Sequence, residues 1–191
     1  MVTFILIILN LLIFMGIKLV SRQNSGVEDW VHANLVLTPG KSPWWTYLTY
    51  AFLHGGIPHV LFNMLALFVF GPDIEDRLGK IGFTLLYLAG AVGAGIAHTY
   101  LSHAPVVGAS GAIATVIGAF LVFFPFVRIK TLVFFFIIGF FYITAWWYIA
   151  LAMVLDLVGF ARSNSSVAYG AHMGGYAFGI LVAMALLWLK I

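Results

Sequence analysis

Four polar side chains that could support nucleophilic catalysis occur in a chain that is otherwise strongly apolar. Ser110 stands in a Gly-Ala-Ser-Gly stretch, and His172 follows an alanine much later in the sequence. His59 and Asn63 are four residues apart, so a helix would present both on one face. A serine hydroxyl is a weak nucleophile that needs a base within hydrogen-bond reach and donors for the developing oxyanion. We expect Ser110 to be the nucleophile, His172 the base, and His59 and Asn63 donors.

The surroundings of Ser110 favour this chemistry. Ser110 stands at a loop-to-helix junction, where free backbone N–H groups and the positive end of the helix dipole suit an oxyanion. No carboxylate lies near His172 in the sequence. Asp156 is a candidate third member, but its position at the end of the fifth apolar run argues against it. A Ser–His dyad is therefore the simpler proposal.

The composition indicates that lipid is the natural solvent of this chain. Hydrophobic residues make up 63% and charged residues 8% of the 191 residues, and the mean hydropathy is +1.10. A soluble domain of this size needs more charge to cover its surface. The absence of cysteine excludes disulfides, zinc thiolate sites and a cysteine nucleophile. The net charge of +3 forms no basic stripe, so we expect a lipid bilayer and no nucleic acid as partner.

Six apolar runs predict an all-α, polytopic membrane protein with a single domain over residues 1–191. Several runs approach the ~20 residues that cross the hydrocarbon core. The second and fourth are shorter, and we expect them to begin below the membrane surface. The first lacks a basic n-region and a cleavage site, so we expect it to remain as a transmembrane helix. The runs are residues 2–20, 57–70, 81–101, 109–124, 131–155 and 171–189.

Alternating helices would bring the candidate residues to the same depth. The second, fourth and sixth runs all enter from one face, and each carries its polar residues near its start: His59 with Asn63, then Ser110, then His172. Counting Lys and Arg in the short loops favours a cytoplasmic N-terminus, which puts this face outside. The first loop is rich in Trp and Tyr, which favour the membrane interface.

Small residues recur every four positions in the fourth and sixth runs. They are Ser110, Ala114 and Gly118 in one run, and Ala171, Gly175 and Gly179 in the other. Such stripes let helix backbones approach closely, which would bring the Ser110 hydroxyl toward the His172 ring. Packing alone remains the commoner explanation for the glycines.

At these residues the sequence resembles the rhomboid family. The matches follow in chain order: His54-Gly-Gly-Ile-Pro-His59-Val-Leu-Phe-Asn63, Glu75-Asp-Arg77-Leu-Gly, Gly108-Ala-Ser110-Gly111, and Ala171-His172-Met-Gly-Gly175 followed by Gly179. The resemblance implies a six-helix rhomboid fold, without metal or cofactor, that hydrolyses peptide bonds in or near transmembrane segments of membrane-protein substrates. We further expect a prokaryotic cell membrane, with the site on the outer side that the Lys and Arg count favours.

The resemblance also implies roles for individual residues. Ser110 would be the nucleophile and His172 the base, while His59, Asn63 and the Ser110 amide would stabilise the oxyanion. The remaining motif residues would be structural; they are His54, Glu75, Arg77, Gly108, Gly111, Gly175 and Gly179. The family often has Trp-Arg in the first loop, whereas Trp45 here precedes Thr46.

Other interpretations are compatible with the sequence. A catalytically inactive, rhomboid-like protein that binds membrane clients should have lost Ser110 or His172, and a small transporter should show repeats or broken helices. A metal or haem site built from histidines would leave Ser110 unexplained. We expect His98 and His103 to be interfacial or solvated, and Glu75 with Arg77 to form a structural network in a turn.

Overall fold

A computed structural model of the chain describes residues 1–24, 26–134, 138–162 and 167–191. Within these ranges it is a bundle of apolar helices with one β-hairpin. The elements in chain order are α1 (Val2–Ser21), α2 (Gly26–Leu35), α3 (Thr46–Thr49), a 3₁₀ turn (Tyr50–Phe52), α4 (Ile57–Leu101), α5 (Ser110–Phe123), β1 (Arg128–Phe134), β2 (Ile138–Thr144), α6 (Ala145–Ala161) and α7 (Tyr169–Trp188).

Helix α4 contains both the second and the third predicted helix. It begins after an extended Gly56, with Pro58 in its first turn, where the missing N–H costs no hydrogen bond. Gly79 interrupts it with φ 71° and ψ 169°, a conformation that favours glycine. Glu75 and Arg77, which we expected in a turn, therefore lie in the helix, because the polar residues before Gly79 continue it beyond the second apolar run.

Three helices in the described part of the chain are long and apolar enough to cross a membrane. They are Val2–Ser21, Ile57–Leu101 and Tyr169–Trp188, and α5 and α6 are shorter apolar helices. The 14 residues of α5 span about 21 Å, less than the hydrocarbon core. This length agrees with the expectation that the fourth predicted helix begins below the surface.

Helix α5 is the centre of the bundle and packs closely against α7. Its residues 111–116 and 118–120 are all buried. A Cβ atom added at Gly175 would collide with the Gly111 carbonyl group, and one added at Gly179 with the Thr115 carbonyl group. The predicted close approach of the two small-residue stripes is confirmed.

The predicted fifth helix, residues 131–155, is wrong over its first half. There β1 and β2 form an antiparallel hairpin with Arg128 opposite Thr144, and the helix begins only at Ala145. Residues 135–137 of that prediction lie outside the described residues. The run is rich in Val, Ile, Phe, Tyr and Thr, which favour strands, and a continuous apolar run has no periodicity that distinguishes the two structures.

The long first loop is structured. It contains α2, α3 and the 3₁₀ turn, and it exposes Trp30 and Trp44 to 59% and 81%. Trp45 donates its indole N–H to the Asn34 carbonyl group at 2.9 Å. Thr46, which stands where the family often has arginine, is buried and donates its hydroxyl to the Pro43 carbonyl group at 2.7 Å.

Candidate active site

The four residues singled out from the sequence line one cavity of about 700 Å³. His59 and Asn63 come from the first two turns of α4, Ser110 is the first residue of α5, and His172 lies in the first turn of α7. Three helices that begin on the same side of the bundle thus bring these side chains to one place.

Ser110 lies where the backbone can offer donors. Ala109 is the N-cap of α5, and no side chain of the described residues caps this helix end. The first N–H groups of any helix have no intrahelical acceptor, and without a cap those of α5 receive no side-chain acceptor either. Gly108 has φ +123°, which favours glycine, and a Cβ atom there would lie 2.6 Å from His59 Nε2. Glycine lets the loop before Ser110 pass directly against the His59 ring.

The chain neighbours of Ser110 and His172 show how closely α5 and α7 approach at the cavity. A Cβ atom on Gly111 would lie 3.6 Å from the Cβ of Ala171 and 2.6 Å from that of Ala94. The position next to Ser110 therefore has no room for a side chain. Glycine at this position keeps the backbone after Ser110 close to the residue before His172.

Asp156 contacts the candidate base, contrary to the expectation from its place in the sequence. His172 Nδ1 lies 3.0 Å from Asp156 Oδ2, and the Tyr176 hydroxyl donates to the same oxygen at 3.1 Å. The expectation was wrong because α6 continues to Ala161, so Asp156 lies inside that helix at the level of the start of α7. Sequence reasoning also missed Tyr176. The signal for Asp156 was its charge, since ionisable residues in apolar runs usually have a partner or a function.

His59 and Asn63 each keep a hydrogen available for the cavity. The Gly55 N–H donates to His59 Nδ1 at 3.4 Å, a long contact that favours the neutral tautomer with its proton on Nε2, the atom that faces Gly108. Asn63 donates one amide hydrogen to the His59 carbonyl group at 3.0 Å and has a second. The pair can therefore act as two donors.

His54 packs behind His59. The two rings are edge to face with centroids 5.1 Å apart, and His54 is 8% exposed. Burial lowers the pKa of His54 to about 4, and the neighbouring His59 is a second cause. His54 is thus neutral near pH 7, and its structural role stays a prediction.

The first loop supports the segment that carries Ser110. Leu37 and Val106 exchange two backbone hydrogen bonds, and the Tyr50 carbonyl group accepts from the Gly108 N–H at 2.9 Å. Tyr50 is fully buried and donates its hydroxyl to the Ala91 carbonyl group of α4 at 2.7 Å. The loop is therefore part of the framework of the cavity.

Glu75 and Arg77 lie away from the cavity. The Glu75 carboxylate is buried and accepts from the Val2 N–H at 2.7 Å and from the backbone and hydroxyl of Thr3 at 2.8 Å. Arg77 donates to the Ile191 carbonyl group at 2.8 Å. Glu75 thus contacts the start of α1 and Arg77 contacts Ile191 beyond the end of α7, instead of both joining a network inside one turn.

The other histidines differ from each other. His98 is 2% exposed and its Nε2 lies 2.8 Å from the Ala104 carbonyl oxygen. Of the expectation that it is interfacial or solvated, the solvated alternative is excluded and the interfacial one stays a prediction. His103 is exposed, as expected. Among the described residues, no group of three or more His, Asp or Glu side chains is arranged to hold a metal ion.

Comparison with known proteins agrees with the resemblance noted in the sequence. The family model of the Rhomboid domain matches residues 41–189. The chain is 31% identical to rhomboid protease GluP of Bacillus subtilis over 96% of its own length and 34% of that protein. It is 28% identical to rhomboid protease GlpG of Haemophilus influenzae, over 75% of this chain and 67% of that one.

A mitochondrial relative from Saccharomyces cerevisiae, rhomboid protein 1, is 32% identical over 69% of this chain and 38% of its own length. The chain thus spans only about a third of the Bacillus and yeast relatives. The family match covers most of this chain, and the apolar helices agree with an integral membrane protein. The predicted rhomboid fold is confirmed, the count of six spans stays a prediction, and the chain belongs to the rhomboid family.

Proposed function

We propose that this protein is an intramembrane serine endopeptidase that cleaves peptide bonds in or near transmembrane segments of membrane-protein substrates. One observation carries the proposal: Ser110, His172, His59 and Asn63 line the same cavity. Membership of a family in which two relatives are named proteases supports it.

In the first half of the reaction, the Ser110 hydroxyl oxygen adds to the scissile carbonyl carbon. His172 Nε2 accepts the hydroxyl proton, because its other ring nitrogen already contacts Asp156. Negative charge then develops on the carbonyl oxygen. The Ser110 N–H, His59 Nε2–H and the second amide hydrogen of Asn63 are the donors for this oxyanion.

In the second half, the protonated His172 gives its proton to the leaving amine as the C–N bond breaks, which leaves an acyl ester on Ser110. Water then attacks the ester carbonyl carbon while His172 Nε2 accepts a proton from it. The same donors stabilise the second oxyanion. Its collapse breaks the ester bond, returns the proton to the Ser110 oxygen and releases the new carboxyl group.

The site's depth limits which bonds can react. Helix α5 is too short to cross the hydrocarbon core, and we infer that it starts below the membrane surface. A client then enters sideways as a helix, whose peptide bonds are shielded by their own hydrogen bonds. Unwinding in lipid exposes backbone groups at a cost of several kcal/mol each, and glycine lowers the cost of leaving the helix. We therefore infer a preference for small, weakly helical residues at the cleaved bond. We also infer that the site faces outward in a prokaryotic cell membrane.

Reconstitution in liposomes with a transmembrane substrate tests the function. Wild type should cleave a substrate with a Gly/Ala-rich segment faster than a Leu-rich one of equal length. Ser110→Ala, His172→Ala and the double variant should be almost equally inactive, since members of one catalytic unit are not additive. Matched controls are Ser102→Ala and His103→Ala, which change the same residue types outside the cavity.

Two results would contradict the proposal. Near wild-type cleavage by Ser110→Ala would contradict the assignment of Ser110 as the nucleophile, and near wild-type cleavage by His172→Ala would contradict that of His172 as the base. A wild type that binds membrane clients but cleaves neither substrate would favour the alternative, a catalytically inactive rhomboid-like protein that binds them.

A further inference from the structure

A carboxylate outside the four residues predicted from the sequence contacts the proposed base. Asp156 is the only acidic residue after Asp76, and it lies on α6, a helix that contributes nothing else to the proposed reaction. Its Oδ2 is 3.0 Å from His172 Nδ1, and the two side chains are only 19% and 17% exposed. An ionisable residue in such an apolar helix is costly unless it is paired or functional.

The neighbours of this pair restrict its geometry. Tyr176 follows His172 by four residues, one turn along α7, and donates its hydroxyl to the same Asp156 oxygen at 3.1 Å. Tyr169 stands edge-on to the His172 ring with centroids 6.1 Å apart. The carboxylate is thus fixed by a second donor, and the imidazole is flanked on α7 by a tyrosine ring.

The chemical consequence concerns the two nitrogens of the ring. A carboxylate accepts hydrogen bonds, so the neutral His172 ring carries its proton on Nδ1 and leaves Nε2 as the acceptor. Nε2 is the nitrogen that must take the proton from Ser110. When the ring becomes doubly protonated during acylation, the same carboxylate balances the new charge.

We propose that Asp156 is a positioning residue of the hydrolytic reaction and completes a Ser110–His172–Asp156 triad. This proposal rests on the proposed function. Asp156 holds the tautomer and orientation of the base and stabilises the imidazolium. It touches neither the substrate nor the attacking oxygen.

A purely structural role for Asp156 makes a different prediction. If the carboxylate only ties α6 to α7, then losing the Tyr176 bond to the same oxygen should harm the protein about as much as changing Asp156. Under this role, either substitution should lower the melting temperature and leave kcat unchanged in the molecules that remain folded. The comparison of Asp156→Asn with Tyr176→Phe separates the two roles.

Steady-state cleavage in liposomes measures this comparison. In soluble serine proteases, an amide in place of this carboxylate lowers kcat about 10⁴-fold without changing the geometry. We expect Asp156→Asn to lower kcat by about 10²- to 10⁴-fold with KM within about 3-fold. Asp156→Glu should recover part of the loss, and Tyr176→Phe should keep kcat within about 10-fold. A wild-type kcat in Asp156→Asn would contradict the role of Asp156 in the triad. Equal losses of kcat in Asp156→Asn and Tyr176→Phe would contradict it as well.

A second measurement does not depend on cleavage. The ¹⁵N chemical shifts of the His172 ring are measured in Ser110→Ala protein at a pH where the ring is neutral. They are assigned by their loss in His172→Ala protein. We expect them to show the proton on Nδ1. An inactive wild type together with this tautomer would overturn the proposed function and leave the Asp156 contact supported. An active wild type with the His172 proton on Nε2 would contradict the role of Asp156 and leave the proposed function supported.

Discussion

The close contact between α5 and α7 predicts that one added methyl group will harm both stability and activity. A Cβ atom on Gly118 would lie 2.5 Å from the Tyr176 carbonyl oxygen and 3.2 Å from the Ile180 nitrogen. Both obstacles are backbone atoms of α7, which cannot rotate away as a side chain would. Gly118→Ala must therefore push the two helices apart.

The size of the effect follows from these distances. The carbonyl oxygen is about 0.9 Å closer than ordinary contact at 3.4 Å. Overpacking of this kind costs about 1–3 kcal/mol, of which better helix propensity returns at most ~1 kcal/mol. Tyr176 lies one turn from His172, so the displacement should reach the base. A 1 Å misplacement of a catalytic group can cost about 10²-fold in rate.

Thermal unfolding in detergent and cleavage in liposomes measure the two effects. We expect Gly118→Ala to melt roughly 2–8 °C lower and to cleave between 10- and 100-fold more slowly. Gly16→Ala is the matched control, because a Cβ atom there meets nothing within 4 Å, and it should be neutral or slightly stabilising. A Gly118→Ala protein as stable and active as Gly16→Ala would refute the reasoning.

Three further predictions concern other parts of the molecule. Asn63→Ala should lower kcat by about 10²- to 10³-fold while a fluorophosphonate still labels Ser110; full-rate cleavage would exclude Asn63 as a donor. Glu75→Gln should lower stability by about 0.5–2 kcal/mol, because a charged acceptor at the start of α1 is lost, and leave kcat of the folded protein unchanged. Because the pKa of His54 is about 4 when folded, the unfolded state binds the proton first, so stability should fall as pH drops from 6.5 toward 4. His54→Gln should weaken that pH dependence of the melting temperature, and an unchanged slope would contradict the assignment.

The helices could be predicted where their apolar runs were long and bounded. The first and last runs, residues 2–20 and 171–189, agree with α1 and α7 within a few residues. The strands β1 and β2 could not be predicted, because an apolar run without periodicity fits a strand as well as a helix. The length of the first half of α4 was underestimated, since charged residues near Glu75 were interpreted as a turn although they are compatible with a helix.

The site was predictable where spacing along a helix determines neighbours, and unpredictable where the tertiary fold does. His59 and Asn63 share a face of α4 because they are four residues apart. The four cavity residues lie near the starts of α4, α5 and α7, and these starts are on the same side of the bundle. Asp156 and His172 are 16 residues apart across a helix end, so their contact depends on where α6 ends and α7 begins. The sequence left that boundary undefined.

These contacts imply that stability and activity are coupled at the centre of the bundle and separable at its ends. Around Gly118 and Gly175 the same backbone contact holds α5 to α7 and sets the position of His172 relative to Ser110. A change there cannot alter packing without moving the base. Glu75, by contrast, stabilises the start of α1 through groups that the reaction does not use. Substitutions near Glu75 should therefore change the melting temperature at constant kcat, whereas substitutions along the α5–α7 contact should change both in the same direction.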